Sequence, residues 1–347
     1  MSKGLPYSLK RFIGIGFAAL IKSRGKGFYC NALRGESTDN ISVNSDLSVS
    51  CNCHDVYGLG KLGYLREQSL MELMTGEKAS YLRRTLAQGK LPIIDCIRCS
   101  DLRWIDKNRV AEYMDDSKPP LGMMIENTVN CNLSCVSCRR EILYGNRRKR
   151  SLSLEDIEYI SECLKSHGIK NILFFNHGEP FLSKTIKQEI EILREKNTEA
   201  FIAVSTNGLL LDRSEKAEAA LNFDHIFFSI FGSTHESLCQ YQSGGNFTRA
   251  YGNMKSLVDL RNSRNRVKPI IEWKYVLFRW NDSPQLIDRA IQLANAAKVD
   301  ILSFWPTLSP FSGISYKYYL GFKYLRRVGK SSWKGREIDF RKKAIQC

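Results

Sequence analysis

Three cysteines, Cys131, Cys135 and Cys138, stand together in the run CNLSCVSC. Thiolates at C-x3-C-x2-C spacing suit an iron–sulfur cluster, and such close spacing lets one loop wrap a single cubane. Three ligands on a four-iron cluster leave one iron without a protein ligand, the open position that catalysis needs and a purely structural site avoids. A structural zinc loop that borrows a fourth ligand would use the same residues. A second set lies upstream: Cys30, Cys51, Cys53, Cys96 and Cys99. Cys96 and Cys99 have the C-x2-C spacing of metal ligands, and a sulfur-only site suits iron clusters and zinc alike. His54, beside Cys53, adds a zinc-type donor. Cys163 falls in an apolar helical pattern and reads as an inert thiol. The total of 11 Cys is odd, in a chain of 347 residues too long to need disulfide staples. A reducing compartment is therefore expected, and the cytoplasm is the natural one.

Elements able to hold these groups follow from about Pro120. Leu121–Glu126, Asn171–Asn176, Ala200–Ser205, His225–Ile230, Pro269–Phe278 and Asp300–Trp305 read as short strands. Helical windows alternate with them. One carries Leu154, Ile157, Ile160 and Leu164 behind a Ser153…Asp156 capping pair; another carries Tyr251, Met254, Leu257 and Val258. A third opens at Ser283–Pro284, with Ser as cap and Pro at the first helical position. Strands alternating with helices imply a parallel sheet, and right-handed crossovers curl it into a full or partial barrel. Chemistry then belongs in the loops after the strands, where the cysteine triplet already lies.

Composition bounds the remainder. Hydrophobic residues make up 43% of the chain, enough for a substantial core. No apolar run approaches the roughly 20 residues of a spanning helix. The net charge of +16 is concentrated. Residues 1–27 hold six Lys/Arg and no acid, the stretch Arg139–Arg150 holds six against Glu141, and residues 317–347 hold ten against Glu337 and Asp339. Local bases of this kind suit an anionic substrate, a nucleic acid or an anionic membrane surface, and equally a set of solvated faces. Phe12–Ile21 (FIGIGFAALI) is apolar between basic flanks, and reads as a helix that packs on the body or lies on a membrane interface. The tail Lys317–Lys343 interleaves Tyr318, Tyr319, Phe322, Tyr324 and Trp333 with its bases, a pattern that serves base stacking or packing on the barrel.

On the cysteine triplet and the segments after the next strands, the chain resembles the radical SAM superfamily over about residues 118–306. In that family the triplet, here Cys131, Cys135 and Cys138, binds a 4Fe–4S cluster whose open iron chelates S-adenosylmethionine. His177-Gly178-Glu179-Pro180 is similar to the Gly-Gly-Glu-Pro segment that contacts the methionyl amino group. Ser205-Thr206-Asn207-Gly208 matches the segment that helps hold the ribose and sulfonium region, and Ser229 ends the fourth strand where a polar residue often lies near SAM. Two positions depart from the pattern: Ser137 replaces the usual aromatic residue before the third Cys, and His177 replaces the first Gly. Upstream, Asp46–Cys51, Gly60–Leu65, Leu70–Met74 and Cys96-x2-Cys99 resemble a SPASM/twitch auxiliary-cluster domain, placed before the barrel instead of after it.

The resemblance implies a partial (β/α)6 barrel preceded by a small cysteine-rich domain. Its divisions are an arm at 1–27, an auxiliary domain at 28–112, a barrel at 113–310 and a basic aromatic segment at 311–347. Cys30, Cys51, Cys96 and Cys99 are the implied auxiliary 4Fe–4S ligands, with Cys53 competing for one place. An external electron donor such as flavodoxin or ferredoxin would reduce the barrel cluster, and SAM would yield a 5′-deoxyadenosyl radical that abstracts hydrogen. His177 is a candidate acid or base, and Cys239 a candidate hydrogen-atom donor at the site's mouth. The expected substrate is small, polar and possibly anionic (a sugar, nucleotide sugar or antibiotic precursor), undergoing oxidation or epimerisation. Peptide modification, nucleic-acid modification and a non-enzymatic electron-transfer role stand as alternatives.

Overall fold

The computed structural model describes residues 7–114, 118–326, 330–332 and 335–342. Trp333, Lys343 and Cys347 lie outside them. Helix α1 (Tyr7–Ser23) leads into β1 (Lys26–Cys30), β2 (Ser42–Val43), β3 (Ser48–Ser50) and β4 (Lys61–Tyr64). Helices α2 (Leu70–Thr75) and α3 (Glu77–Ala87) precede β5 (Leu102–Asp106). The barrel begins with β6 (Gly122–Ile125), a short β7 (Ser134–Cys135), α4 (Arg140–Asn146) and α5 (Leu154–Ser166). It continues through β8 (Asn171–Leu173), α6 (Ile186–Lys196), β9 (Phe201–Thr206), α7 (Ser214–Ala220) and β10 (His225–Ser229). Then come α8 (His235–Cys239), β11 (Gln242–Ser243), α9 (Phe247–Ser263), β12 (Ile270–Leu277), α10 (Pro284–Ala296) and β13 (Ile301–Pro306).

Strands β6, β8, β9, β10, β12 and β13 lie side by side in chain order, every pair parallel. This is the partial barrel expected from the alternation of strands and helices. Most strand ends shift by a residue. The expected Asn171–Asn176 run stops at Leu173, because Phe175 N turns back to the Leu173 carbonyl and releases the chain into the site loop. The anticipated helix starts hold: Ser153 and Asp156 form a reciprocal capping box, and Ser283 caps a helix with Pro284 in its first turn.

One face of the sheet packs on helices, through Ile172, Ile202, Val204, Ile226, Phe228, Trp273, Leu302 and Phe304. Side chains alternate along a strand, so Leu173, Ser205, Phe227, Lys274 and Trp305 face the other way and line a lumen. That explains why these strands alternate in burial, although most parallel sheets are apolar on both faces.

The sheet continues across the expected division near residue 112. β2 joins β6 in parallel, β3 and β4 add antiparallel, and the whole sheet has 11 strands. At the other edge, residues Gly335–Asp339 pair antiparallel with β13. The tail is bound to the barrel there and at Asp282, which receives Lys317 Nζ at 2.9 Å while its carbonyl accepts from the Tyr324 hydroxyl at 2.7 Å. Much of the internal basic stretch is consumed in ion pairs: Arg147 with Glu126, Arg148 with Glu67 and Lys149 with Asp156.

Candidate functional site

The loop after β6 carries the cysteine triplet and is clamped from three sides. β7 pairs with β11, Val136 N donates to the Tyr241 carbonyl at 2.9 Å, and Arg140 Nη1 donates to the Leu133 carbonyl at 2.8 Å. Within the loop, Leu133 N points at Cys131 Sγ at 3.4 Å, the kind of contact that stabilises a thiolate. Burial pushes the Cys131 thiol up and the Cys135 thiol to about 12, and the Arg140 guanidinium opposes both shifts. Thiolates held in this pocket therefore require a cation, which an iron cluster supplies. Close by, Arg140 Nε, Asn176 Nδ2 and His177 Nε2 are buried without partners among the described residues. Buried polar atoms are rarely left so, and these three fit a polar group seated beside the loop. The residues present thus suit a three-thiolate cluster with a polar ligand next to it.

The Gly178–Pro180 segment packs directly beneath. A Cβ on Gly178 would lie 1.9 Å from the Thr128 carbonyl oxygen, so only glycine permits this approach. Glu179 N donates to the Asn130 carbonyl. Its carboxylate accepts from Asn207 N at 2.7 Å, Thr206 Oγ1 at 2.8 Å and Phe181 N at 3.2 Å. Glu179 is therefore the brace between two predicted cofactor segments. Asn207 in turn donates to Asn132 Oδ1 at 2.8 Å, next to Cys131, and Ser205 Oγ lies 3.0 Å from Ser229 Oγ. Pro180 is buried and turns the chain away.

Burial pushes the Glu179 carboxyl from 4.5 up to about 7 against its three donors. Its folded value lies above its unfolded one, so its contribution to stability is complete below pH 4.5 and is lost as pH rises through about 7. Glu179→Gln should remove that slope. The wild type is expected to lose on the order of 2 kcal/mol more than the variant between pH 5 and pH 8. Parallel melting curves at the two pH values check this; identical slopes would contradict the assignment.

Two cavities open at the strand ends. One, of about 460 Å³, is lined by Cys135, Cys138, Arg139, Asn176, His177 and Tyr241, among others. The second, of about 590 Å³, is the barrel lumen, closed on its open side by Thr38–Asn40, Asn52–His54 and Arg98–Ser100. His54 and Arg98 line both. Burial, with the Lys274 ammonium and the Arg98 guanidinium nearby, holds His54 below its usual range. Lys274 sits over the Trp305 ring at 4.2 Å. Three nitrogen bases therefore face the lumen, His54 and Arg98 where the cavities meet and Lys274 on the lumen wall, with Asp39 as an acid among them.

His177 donates to the Cys53 carbonyl, and burial with neighbouring positive charge takes it down to about 3. It is a neutral tie between barrel and cysteine loop. Cys239 lines neither cavity: its Sγ donates to the Gly245 carbonyl at 3.4 Å beside the His235 ring. Tyr241 was not foreseen. It projects from another loop to meet Ser137, stacks on Phe278 at 4.6 Å, and supplies an aromatic wall where the sequence has only a serine. No local pattern marks it, because β7–β11 pairing alone brings it there.

Upstream, Cys30, Cys51, Cys96 and Cys99 line one small apolar cavity of about 20 Å³ with Leu33, Leu82, Leu86 and Ile93. Cys53 is not among them; it donates to Asn40 Oδ1 at 3.5 Å and faces the lumen. Burial raises all four lining thiols, Cys96 to about 12. Among the described residues, no three His, Cys, Asp or Glu already close on a single ion. The cavity has room for about one water, so a cubane would fit only if these thiols turned outward. Cys99 also lines the lumen.

Residues 125–267 match the radical SAM superfamily. A probable GTP 3′,8-cyclase of Methanothermobacter marburgensis is 34% identical over 97 residues, 27% of this chain and 30% of that protein. The GTP 3′,8-cyclase of Pelotomaculum thermopropionicum is 28% identical over 142 residues, 40% of this chain and 42% of that protein. The FeMo cofactor biosynthesis protein NifB of Methanocaldococcus jannaschii is 28% identical over 145 residues, 36% and 48% of the two chains. The chain thus spans less than half the length of these relatives. A solved structure described as native anSMEcpe with bound AdoMet aligns over 52% of this chain and 50% of that one, with TM-score 0.40 and 17% identity. Among the described residues no helix is long and apolar enough to cross a membrane.

Proposed function

Residues 125–267 being a radical SAM domain, we propose that this chain reductively cleaves S-adenosylmethionine and removes hydrogen from a C–H bond of a small anionic substrate held in the barrel lumen, for oxidation or epimerisation. The observation that carries this reading is the junction of the two cavities at His54 and Arg98. When bound, the 4Fe–4S cluster and SAM supply the one-electron chemistry. Cys131, Cys135 and Cys138 hold the cluster, Gly178 and the Glu179 brace shape the floor beside it, and Ser205, Asn207 and Ser229 present hydroxyls and an amide. Arg98 and Lys274 attract and orient a phosphate or carboxylate at the junction, with its C–H groups toward the triplet. The Asn52–His54 and Arg98–Ser100 segments exclude water from the lumen. Cys30, Cys51, Cys96 and Cys99 would hold an auxiliary cluster, which would supply an electron acceptor near the lumen that Cys99 also lines. The name GTP 3′,8-cyclase, borne by two of the relatives, also favours an anionic small molecule.

The test is anaerobic turnover with a reductant and C-deuterated nucleotide sugars, sugar phosphates and peptides. Deuterium from a phosphorylated or carboxylated small molecule should appear in 5′-deoxyadenosine. Arg98→Gln should raise KM for that substrate at least tenfold while kcat changes little. Label delivered only by a peptide, or KM indifferent to Arg98, would overturn the substrate reading.

A further inference from the structure

Helix α1 has two apolar faces. Gly14, Phe17, Ala18 and Ile21 turn toward the body; Ala18 and Ile21 are buried, and Phe17 meets Phe28 at 6.0 Å. Phe12, Gly16 and Leu20 turn the other way and are exposed, Phe12 at 74%; Ile15, 61% exposed, and Ala19 stand at the edge between the two sides. No polar residue occurs between Phe12 and Ile21. A helix on the surface of a soluble domain ordinarily turns polar side chains outward, and one that is apolar all round needs a second cover.

Three neighbouring features say what that cover is. Residues 1–27 hold six Lys/Arg and no acid, and Lys22 and Arg24 are exposed at the helix end. Trp104, 54% exposed, sits edge-on to Phe17 at 6.2 Å beside the helix, an amphipathic ring of the kind found at membrane–water boundaries. Between α1 and Gly89–Ile94 lies a cavity of about 580 Å³ lined by Ile15, Ala18, Leu91, Pro92 and Ile93, with Lys90 among its lining residues. Apolar stripe, interfacial tryptophan and the exposed Lys22 and Arg24, in a segment without acids, together match an anionic phospholipid surface. A second copy fits less well, since pairing α1 on α1 would oppose two segments of like charge. One stripe of five residues also falls short of the roughly 800 Å² per partner of a stable interface.

We infer that α1 and Trp104 dock this protein on anionic membrane surfaces, the helix lying flat with Phe12, Ile15 and Leu20 in the acyl boundary and the flanking Lys/Arg at the headgroups. The ten-residue apolar run is too short to span, so the attachment is peripheral and reversible. It is independent of the reaction proposed for the barrel.

The full chain with its metal content intact is sedimented with vesicles of phosphatidylcholine alone and of phosphatidylcholine with one-quarter phosphatidylglycerol. Binding should favour the anionic vesicles at least tenfold and weaken as salt rises. Phe12→Ser with Ile15→Ser should lower it at least tenfold while leaving the melting temperature unchanged, because both side chains are exposed in the free protein. Trp104 fluorescence should shift blue on binding. Failure to bind anionic vesicles, or unaltered binding by the double variant, would overturn the inference. So would a lipid-free dimer in sedimentation velocity that the same double variant abolishes.

Discussion

Replacing Cys131, Cys135 and Cys138 together with Ala should remove about four irons per chain and reduce 5′-deoxyadenosine formation to background. The loop that carries them is pinned by β7–β11 pairing, Arg140 and Glu179 rather than by the thiols, so the fold should survive. Replacing Cys30, Cys51, Cys96 and Cys99 is the matching arm. It should remove a second set of about four irons, while SAM binding to the barrel persists. Loss of zinc in place of iron from this arm would discard the auxiliary cluster, and SAM cleavage surviving in the first arm would refute the ligand assignment. Burial keeps Cys135 and Cys96 near 12 when no metal is present, so cluster loading must expel protons and should improve as pH rises.

Arg147→Met should cost about 3–5 kcal/mol of stability, the largest effect expected of any single substitution away from the thiols. Arg147 Nε donates to Glu126 Oε1 at 2.9 Å, and the two side chains are 1% and 0% exposed. Nη2 of the same guanidinium donates to Asn44 Oδ1 at 2.9 Å, and Ser45 N donates to Glu126 at 3.2 Å. The pair thus ties the end of α4 to the end of β6 and to the cysteine-rich segment, just below the triplet. Without Arg147, Glu126 is a buried carboxylate with no counter-charge. Burial already holds Glu126 above its usual value. Its stabilising contribution is therefore present below about pH 4.5 and lost as pH rises through the raised value. The deficit of Arg147→Met should accordingly shrink in acid. Glu126→Gln with Arg147→Met should recover most of the loss, since a neutral amide needs no partner charge. Denaturant melts of the wild type and the two variants at two pH values check this; a deficit constant with pH would mean that Glu126 is not the stranded group.

Local pattern carried a great deal here. Six strand runs and two capped helix starts follow from alternation, from β-branched and aromatic residues, and from Ser caps, all properties of neighbouring residues. The triplet follows from spacing, because one loop wrapping one cluster is itself a local event. Glu179, Asn207, Ser205 and Ser229 were identified by resemblance, and they do meet. The role of Glu179 as a brace needed the structure, since two of its three donors come from a strand end 27 and 28 residues away in sequence.

Other readings depended on which side a residue faces. His177 and Cys239 both lie near strand ends, yet only His177 lines a cavity there, tied to the Cys53 carbonyl, while Cys239 Sγ meets the Gly245 carbonyl. Cys53 and Cys51 are two residues apart, and a turn sends one to the lumen and the other to the four-thiol cavity. The basic stretch Arg139–Arg150 promised an anion site, but Arg147, Arg148 and Lys149 spend their charge on carboxylates from other segments. The bases that meet at the lumen, Arg98, Lys274 and His54, come from three separated segments.

The sequence alone thus determined the element order, the parallel barrel and the first cluster loop, because propensity, periodicity and close spacing act within a few residues. Only the tertiary structure decided how the cysteine-rich segment joins that sheet, which thiols share a cavity, where the bases converge and which face of α1 stays bare. Those depend on pairing across long separations, where a single turn exchanges the buried side of a segment for the open one.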